Sequence, residues 1–190
     1  WMGRCPQCGE WNTLVEEIIK ETKHSRTPSR GVGNQSTKPT ALPDIEISSI
    51  ARISTTFGEI DRVLGGGIVP GALMLLGGDP GIGKSTLLLQ VSQKVADIVG
   101  AVLYASGEES QLQLKLRAER LHINSERLQV IADTDLDHIL EQADAMTPSL
   151  LVIDSIQTMY TGDIDAAPGS VSQVRECTSR LLRFCKERNI

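Results

Sequence analysis

The chain is poor in aromatic residues: only 3% of its 190 residues are Phe, Trp or Tyr. Its core must therefore be aliphatic, and a binding module that stacks bases on rings is disfavoured. Cysteine is scarce, at four residues, and the two pairs (Cys5 with Cys8, Cys177 with Cys185) do not suggest a disulfide framework. A reducing, cytosol-like compartment follows. No apolar run reaches the length needed to cross a bilayer, so no membrane is expected. An overall basic charge is missing too: the net charge is −5, so any contact with nucleic acid must be local or made by an assembled oligomer.

What is present divides into three parts. Residues 1–17 hold the C-x-x-C pair Cys5-Pro-Gln-Cys8, the spacing that supplies half of a tetrahedral zinc site. Residues 18–50 are polar and rich in Gly, Pro, Ser and Thr, and predict a flexible linker. From Lys20 to Lys38 this linker carries five basic residues against one acid, Glu21, so it is either a solvated spacer or an arm that touches phosphates. Residues 51–190 alternate short apolar runs with amphipathic stretches. Strands are predicted at Ala72–Leu76, Ala101–Ala105, Leu128–Ile131 and Leu150–Ile153. Helices are predicted from Lys84 to Val99 and at about 109–121, 136–146 and 170–188. The first should bury Leu88, Val91, Val95 and Ile98. In the second, Ser110 can cap and Leu112 and Leu116 lie one turn apart. In the last, the spacing of Val174, Cys177, Leu181 and Cys185 makes the two cysteines buried small hydrophobes rather than ligands. Continuous apolar strands alternating with amphipathic helices predict an α/β fold, its parallel sheet covered on both faces.

The chemistry is concentrated in Gly78-Asp79-Pro80-Gly81-Ile82-Gly83-Lys84-Ser85, a complete G-x-x-x-x-G-K-[ST] phosphate loop between an expected strand and an expected helix. Its glycines allow backbone amides to turn inward as an anion nest, and the helix that follows aims its positive end at the same phosphates. Lys84 is expected at the β- and γ-phosphates of ATP, the Ser85 hydroxyl on Mg²⁺, and Thr86 near the α-phosphate. Asp154 ends the apolar run Leu150–Ile153 at the carboxyl edge of the sheet and is read as the second metal-side group, holding Mg²⁺ through water; its plainer reading is a cap on the next segment. After the strand Ala101–Ala105 stand Glu108 and Glu109. Glu108 is favoured as the base that orients the attacking water, with Glu109 a neighbour or substitute that could equally complement a helix dipole. Gln157 is either a γ-phosphate sensor or an ordinary polar loop residue.

The stretch TTFGEIDRVLGGGIVPGALMLLGGDPGIGKSTLLLQ (Thr55–Gln90) strongly resembles the RadA/Sms family of bacterial and plastid DNA-repair ATPases. So do YASGEES, SLLVIDSIQTM and APGSVSQVRECTSRLL, and the opening WMGRCPQCGEWNTLVEE is similar to the second half of that family's four-cysteine zinc finger. The resemblance implies a RecA-like core and a DNA-stimulated ATP hydrolase that acts as a translocase or helicase. It implies a hexameric homo-oligomer with ATP between subunits, contact with single-stranded and branched DNA, and branch migration beside a strand-exchange recombinase. It implies Zn²⁺ on Cys5 and Cys8 together with two cysteines upstream. It further implies that this chain is an internal piece of a longer one, without the last core strands and a Lon-protease-like domain. Zinc binding by the chain alone is then expected to be weak, and turnover doubtful. The location implied is the bacterial cytoplasm or the plastid stroma. The stretch after Asp154, from Thr158 to Arg175, falls where RecA-type ATPases place a DNA-facing loop, yet it holds Asp163 and Asp165 against the single base Arg175. The competing reading is a RecA-fold switch of the clock or signalling type, without nucleic acid.

Overall fold

The computed structural model describes residues 39–44 and 52–190, all within one compact unit, Pro39–Ile190. The expected finger at residues 1–17, with Cys5 and Cys8, lies outside the described residues, as does most of the expected linker. A short 3-10 turn, Leu42–Asp44, is the described part of that linker.

The elements follow in the order α1 (Gly58–Val63), α2 (Lys84–Ile98), β1 (Val102–Ser106), α3 (Gln111–Arg120), β2 (Leu128–Ala132), α4 (Leu136–Met146), β3 (Leu150–Asp154) and α5 (Val171–Arg188). The three strands form a parallel sheet in the order β2-β1-β3. Alternation of side chains across a strand sorts the core into two faces. Val102, Tyr104 and Val152 cluster with residues of α2 and α3, among them Leu89, Val91, Val95 and Leu114. Ala105, Leu151 and Ile153 cluster instead with Leu136 and Ile139 of α4 and Cys177 and Leu181 of α5. The α/β fold with helices on both faces of a parallel sheet is thus present.

Helix ends obey local chemistry. Ser110 caps α3 in a full capping box with Gln113, Asp135 accepts from the amides of Asp137 and His138 at the start of α4, and Ser170 accepts from the Gln173 amide at α5. Before α1, the Asp61 carboxylate accepts from Ser54 Oγ at 2.7 Å and from the amide and hydroxyl of Thr55 at 2.9 and 2.7 Å. The Ser54 bond, foremost among these, holds Asp61 below the usual carboxylate range. The antiparallel bridge Ile53–Ile68 requires glycine at 67: φ there is +129°, and a Cβ would stand 2.6 Å from the Ile53 carbonyl oxygen.

Three expectations are corrected. Ala72–Leu76 is not a strand: no described strand pairs with it, and Leu75 is 89% exposed. An apolar run makes a strand only where a neighbour supplies the ladder of hydrogen bonds, and none does so here. On α2, Ile98 is exposed rather than buried, the inward stripe being Leu89, Val91, Ser92, Val95 and Ala96. On α3 the helix is where it was expected, but Leu112 and Leu116 face outward; Leu114 alone is buried, with Ala118 and Leu121 packed on the same cluster. Cys177 and Cys185 are buried as expected, and burial raises both thiol pKa values.

Candidate nucleotide site

The phosphate loop forms the turn into α2. Gly81 and Gly83 take the left-handed backbone, φ +79° and +104°, which side-chained residues rarely adopt. Gly83 is the N-cap of α2, so the helix amides of Lys84, Ser85 and Thr86 open toward the loop. The Lys84 ammonium donates to the carbonyls of Gly78 and Asp79 at 2.8 and 2.9 Å, closing the loop on itself. Asp79, Pro80 and Ile82 are exposed along its rim.

The direction of α2 decides what this loop faces. Val95, near the end of the helix, shares a cluster with Val102 and Leu150 at the start of their strands. Leu89, a turn and a half earlier, clusters with Tyr104 and Val152 farther along. The helix therefore runs antiparallel to the strands, and its loop points to their carboxyl edge, where Asp154 ends β3.

At that edge β1 and β3 are in register, Ser106 opposite Asp154. The backbone pairing continues one step further, from the Gly107 amide to the Asp154 carbonyl at 3.0 Å. Three side-chain bonds organise the acids. The Tyr104 hydroxyl donates to Asp154 Oδ2 at 2.5 Å, Ser155 Oγ donates to Glu108 Oε1 at 2.8 Å, and Arg117 of α3 donates to Glu109 Oε1 at 2.7 Å. Burial, reinforced by the bond to Asp154, drives the Tyr104 phenol far above its ordinary pKa, so it is a permanent donor. Glu109 is also held by its own amide, which donates to Ser106 Oγ at 3.0 Å. The two glutamates are thus unlike: Glu109 is neutralised and part-buried, and Glu108 is exposed on a hydroxyl tether. An open cleft of about 350 Å³, lined by Glu108, Glu109 and Asp133 among others, lies beside them at the ends of β1 and β2.

Gly107 brings the loops after β1 and β3 together. A Cβ there would stand 2.0 Å from Thr158 Oγ1 and 2.7 Å from Thr158 Cβ. Gln157 is exposed at the same edge, one residue before Thr158. The stretch from Thr158 to Arg175 is folded rather than open: the Gln173 side chain, 1% exposed, accepts from the Thr161 amide and donates toward the carbonyls of Thr161, Ile164 and Ala166. Asp163, which makes that stretch acidic in sequence, is paired with Arg180 of α5, as is Asp137 of α4.

Comparison with known proteins decides the family. A family model described as an AAA domain matches residues 37–190, and one described as a rubredoxin metal binding domain matches residues 1–16. The DNA repair protein RadA of Bacillus subtilis is 53% identical over the whole of this chain, and that of Listeria monocytogenes is 51% identical. The chain belongs to the AAA domain family, in its RadA/Sms branch. It spans 42% of the length of the Bacillus relative and 41% of the Listeria one. Among the described residues no helix is long and apolar enough to cross a membrane.

The Ser85 hydroxyl and the Asp154 carboxylate are hard oxygen donors, the chemistry that suits Mg²⁺ and the waters it keeps beside phosphates. Tyr104, Ser155, Arg117 and Gln173 were not singled out from the sequence. Ser155 directly follows Asp154, and Tyr104 lies two residues before Ser106 on the same face; these spacings were the available signals. Arg117 and Gln173 gave none, because their partners are fixed only by packing.

Proposed function

We propose that this chain is the nucleotide-hydrolysing core of a DNA-repair ATPase. What supports the reading is a phosphate loop whose helix α2 runs so that the loop faces the sheet edge carrying the Asp154 carboxylate and a glutamate, Glu108, that is held by a hydroxyl rather than by a cation. Gly78, Asp79, Pro80, Gly81, Ile82, Gly83, Lys84, Ser85 and Thr86 cradle the phosphates of ATP. Ser85 and Asp154 would hold Mg²⁺, which supplies charge neutralisation on the phosphates. Glu108 orients the attacking water and accepts its proton, and Ser155 sets its rotamer. Glu109 is bound to Arg117, which supports assigning the base to Glu108 alone.

The relatives are named for DNA repair, and this favours DNA, single-stranded and branched, as the regulator of turnover over a protein-only switch. Branch migration beside a strand-exchange recombinase, a hexameric ring and a cytoplasmic location belong to the same reading. Zn²⁺ on Cys5 and Cys8 rests on the C-x-x-C spacing and the metal-binding family match. The linker cations between Lys20 and Lys38 are then candidates for phosphate contact.

The experiment is ATP hydrolysis by the full-length protein, with and without single-stranded DNA, and with Lys84→Ala as control. DNA-stimulated turnover that disappears in Lys84→Ala is expected. Turnover indifferent to DNA would favour the switch, and no turnover in the wild type would reject the reading.

A further inference from the structure

Tyr104 is fully buried, and its ring is packed by Leu89 of α2, Leu114 of α3, Ile123 and Val152 of β3. The packing leaves the ring little freedom, and its hydroxyl emerges at one place, Asp154 Oδ2, 2.5 Å away. The register explains the reach. Tyr104 lies opposite Val152 and Ser106 opposite Asp154, so tyrosine and aspartate are diagonal neighbours on the same face of the sheet. A carboxylate at the end of a strand turns easily about its last torsion, whose energy well is broad. A rigid donor on one oxygen removes that freedom and leaves the other oxygen as the free acceptor. The same ring packs against Leu89 of α2, the helix whose first turn holds Ser85. It therefore stands between the two elements that carry the metal-side oxygens.

We propose that Tyr104 is a positioning residue for the magnesium–nucleotide site: its hydroxyl locks the Asp154 carboxylate in the orientation that accepts from a metal-bound water. This rests on the ATPase reading above. Partners of this kind behind a metal ligand typically change metal affinity by about ten- to a hundredfold when removed.

The test is Tyr104→Phe in the full-length protein, which keeps the ring and deletes one oxygen. Two quantities are read: Mn²⁺ affinity in the presence of ADP, by electron paramagnetic resonance, and affinity for a fluorescent ADP analogue in EDTA. The expected result is a weakening of Mn²⁺ binding by about tenfold or more, with metal-free ADP binding within about twofold of wild type. In an Asp154→Asn background the same substitution should add nothing further, because its route is through that carboxylate. Leu89→Val, which loosens the ring but keeps the hydroxyl, should lower the melting midpoint and weaken Mn²⁺ binding by less than Tyr104→Phe does. Unchanged Mn²⁺ binding in Tyr104→Phe, or equal loss of metal-free ADP binding, overturns the proposal while the ATPase reading stands. A wild type that binds no Mn²⁺·ADP rejects both.

Discussion

Gln173 is a buried amide in a helix, and its replacement by Met tests whether hydrogen bonding or packing holds the stretch after β3. Methionine has nearly the same length and volume, so the substitution leaves no large cavity. The Gln173 Oε1 atom accepts from the Thr161 amide at 3.1 Å, and its Nε2 atom points at three carbonyl oxygens, 3.0 to 3.3 Å away. Two N–H protons serve those three oxygens, so three bonds are lost in effect. At about 1 kcal/mol net for each buried bond, the loss is about 3 kcal/mol. For a folded unit of this size, each kcal/mol moves the melting midpoint by about 2–4 °C, so a fall of roughly 6–12 °C is expected. Thermal unfolding followed by circular dichroism gives that number. Hydrogen exchange should show the added opening largest in residues 160–170, with the Tyr104 and Val152 amides losing no more protection than the global loss of stability accounts for. A midpoint within about 2 °C of wild type, with unaltered exchange in that stretch, would refute the argument.

Three further outcomes are expected. Gly107→Ala forces a Cβ into Thr158 and should destabilise by about 1–3 kcal/mol, the cost of overpacking; it should also cut ATP turnover by displacing Glu108, and Thr158→Gly should restore part of both, as urea unfolding and phosphate release would show. Ser155→Ala frees Glu108 and should reduce the maximal rate about three- to tenfold with little change in KM, a smaller loss than the hundredfold or more expected for Glu108→Gln. His138 donates toward Asp133 Oδ2 at 2.5 Å, and that bond raises the histidine pKa; burial pushes Asp133 up, but the bonds from His138 and from the amides of Asp135 and Thr134 leave it below its ordinary value. The histidine's contribution to stability is therefore complete below its ordinary pKa near 6.5 and is lost as pH rises through its higher folded value, whereas the aspartate's is lost only in acid. His138→Gln should flatten the pH dependence of the melting midpoint between about pH 6 and 8.

The local sequence determined the parts of this protein whose partners are close in the chain. The phosphate loop is legible because its geometry comes from its own glycines and the helix start they cap. The caps at Ser110, Asp135 and Ser170 act within three residues, and β1, β2 and β3 are short, mainly apolar runs whose burial needs only a sheet. Asp154 could be placed at the carboxyl edge because it ends such a run. The tertiary structure decided the rest. Whether Ala72–Leu76 pairs as a strand depends on a neighbour's backbone, which its own apolarity does not supply. The difference between Glu108 and Glu109 depends on Ser155, 47 residues away, and on Arg117, one helix away. Asp163 finds its counter-charge in Arg180, which Asp137 and Glu176 share, and the burial of Gln173 depends on carbonyls turned inward by that stretch. Tyr104 reads as one more strand residue until register sets it diagonal to Asp154. In each case the deciding term is a contact between distant positions, whose energy exists only once the chain has closed around it.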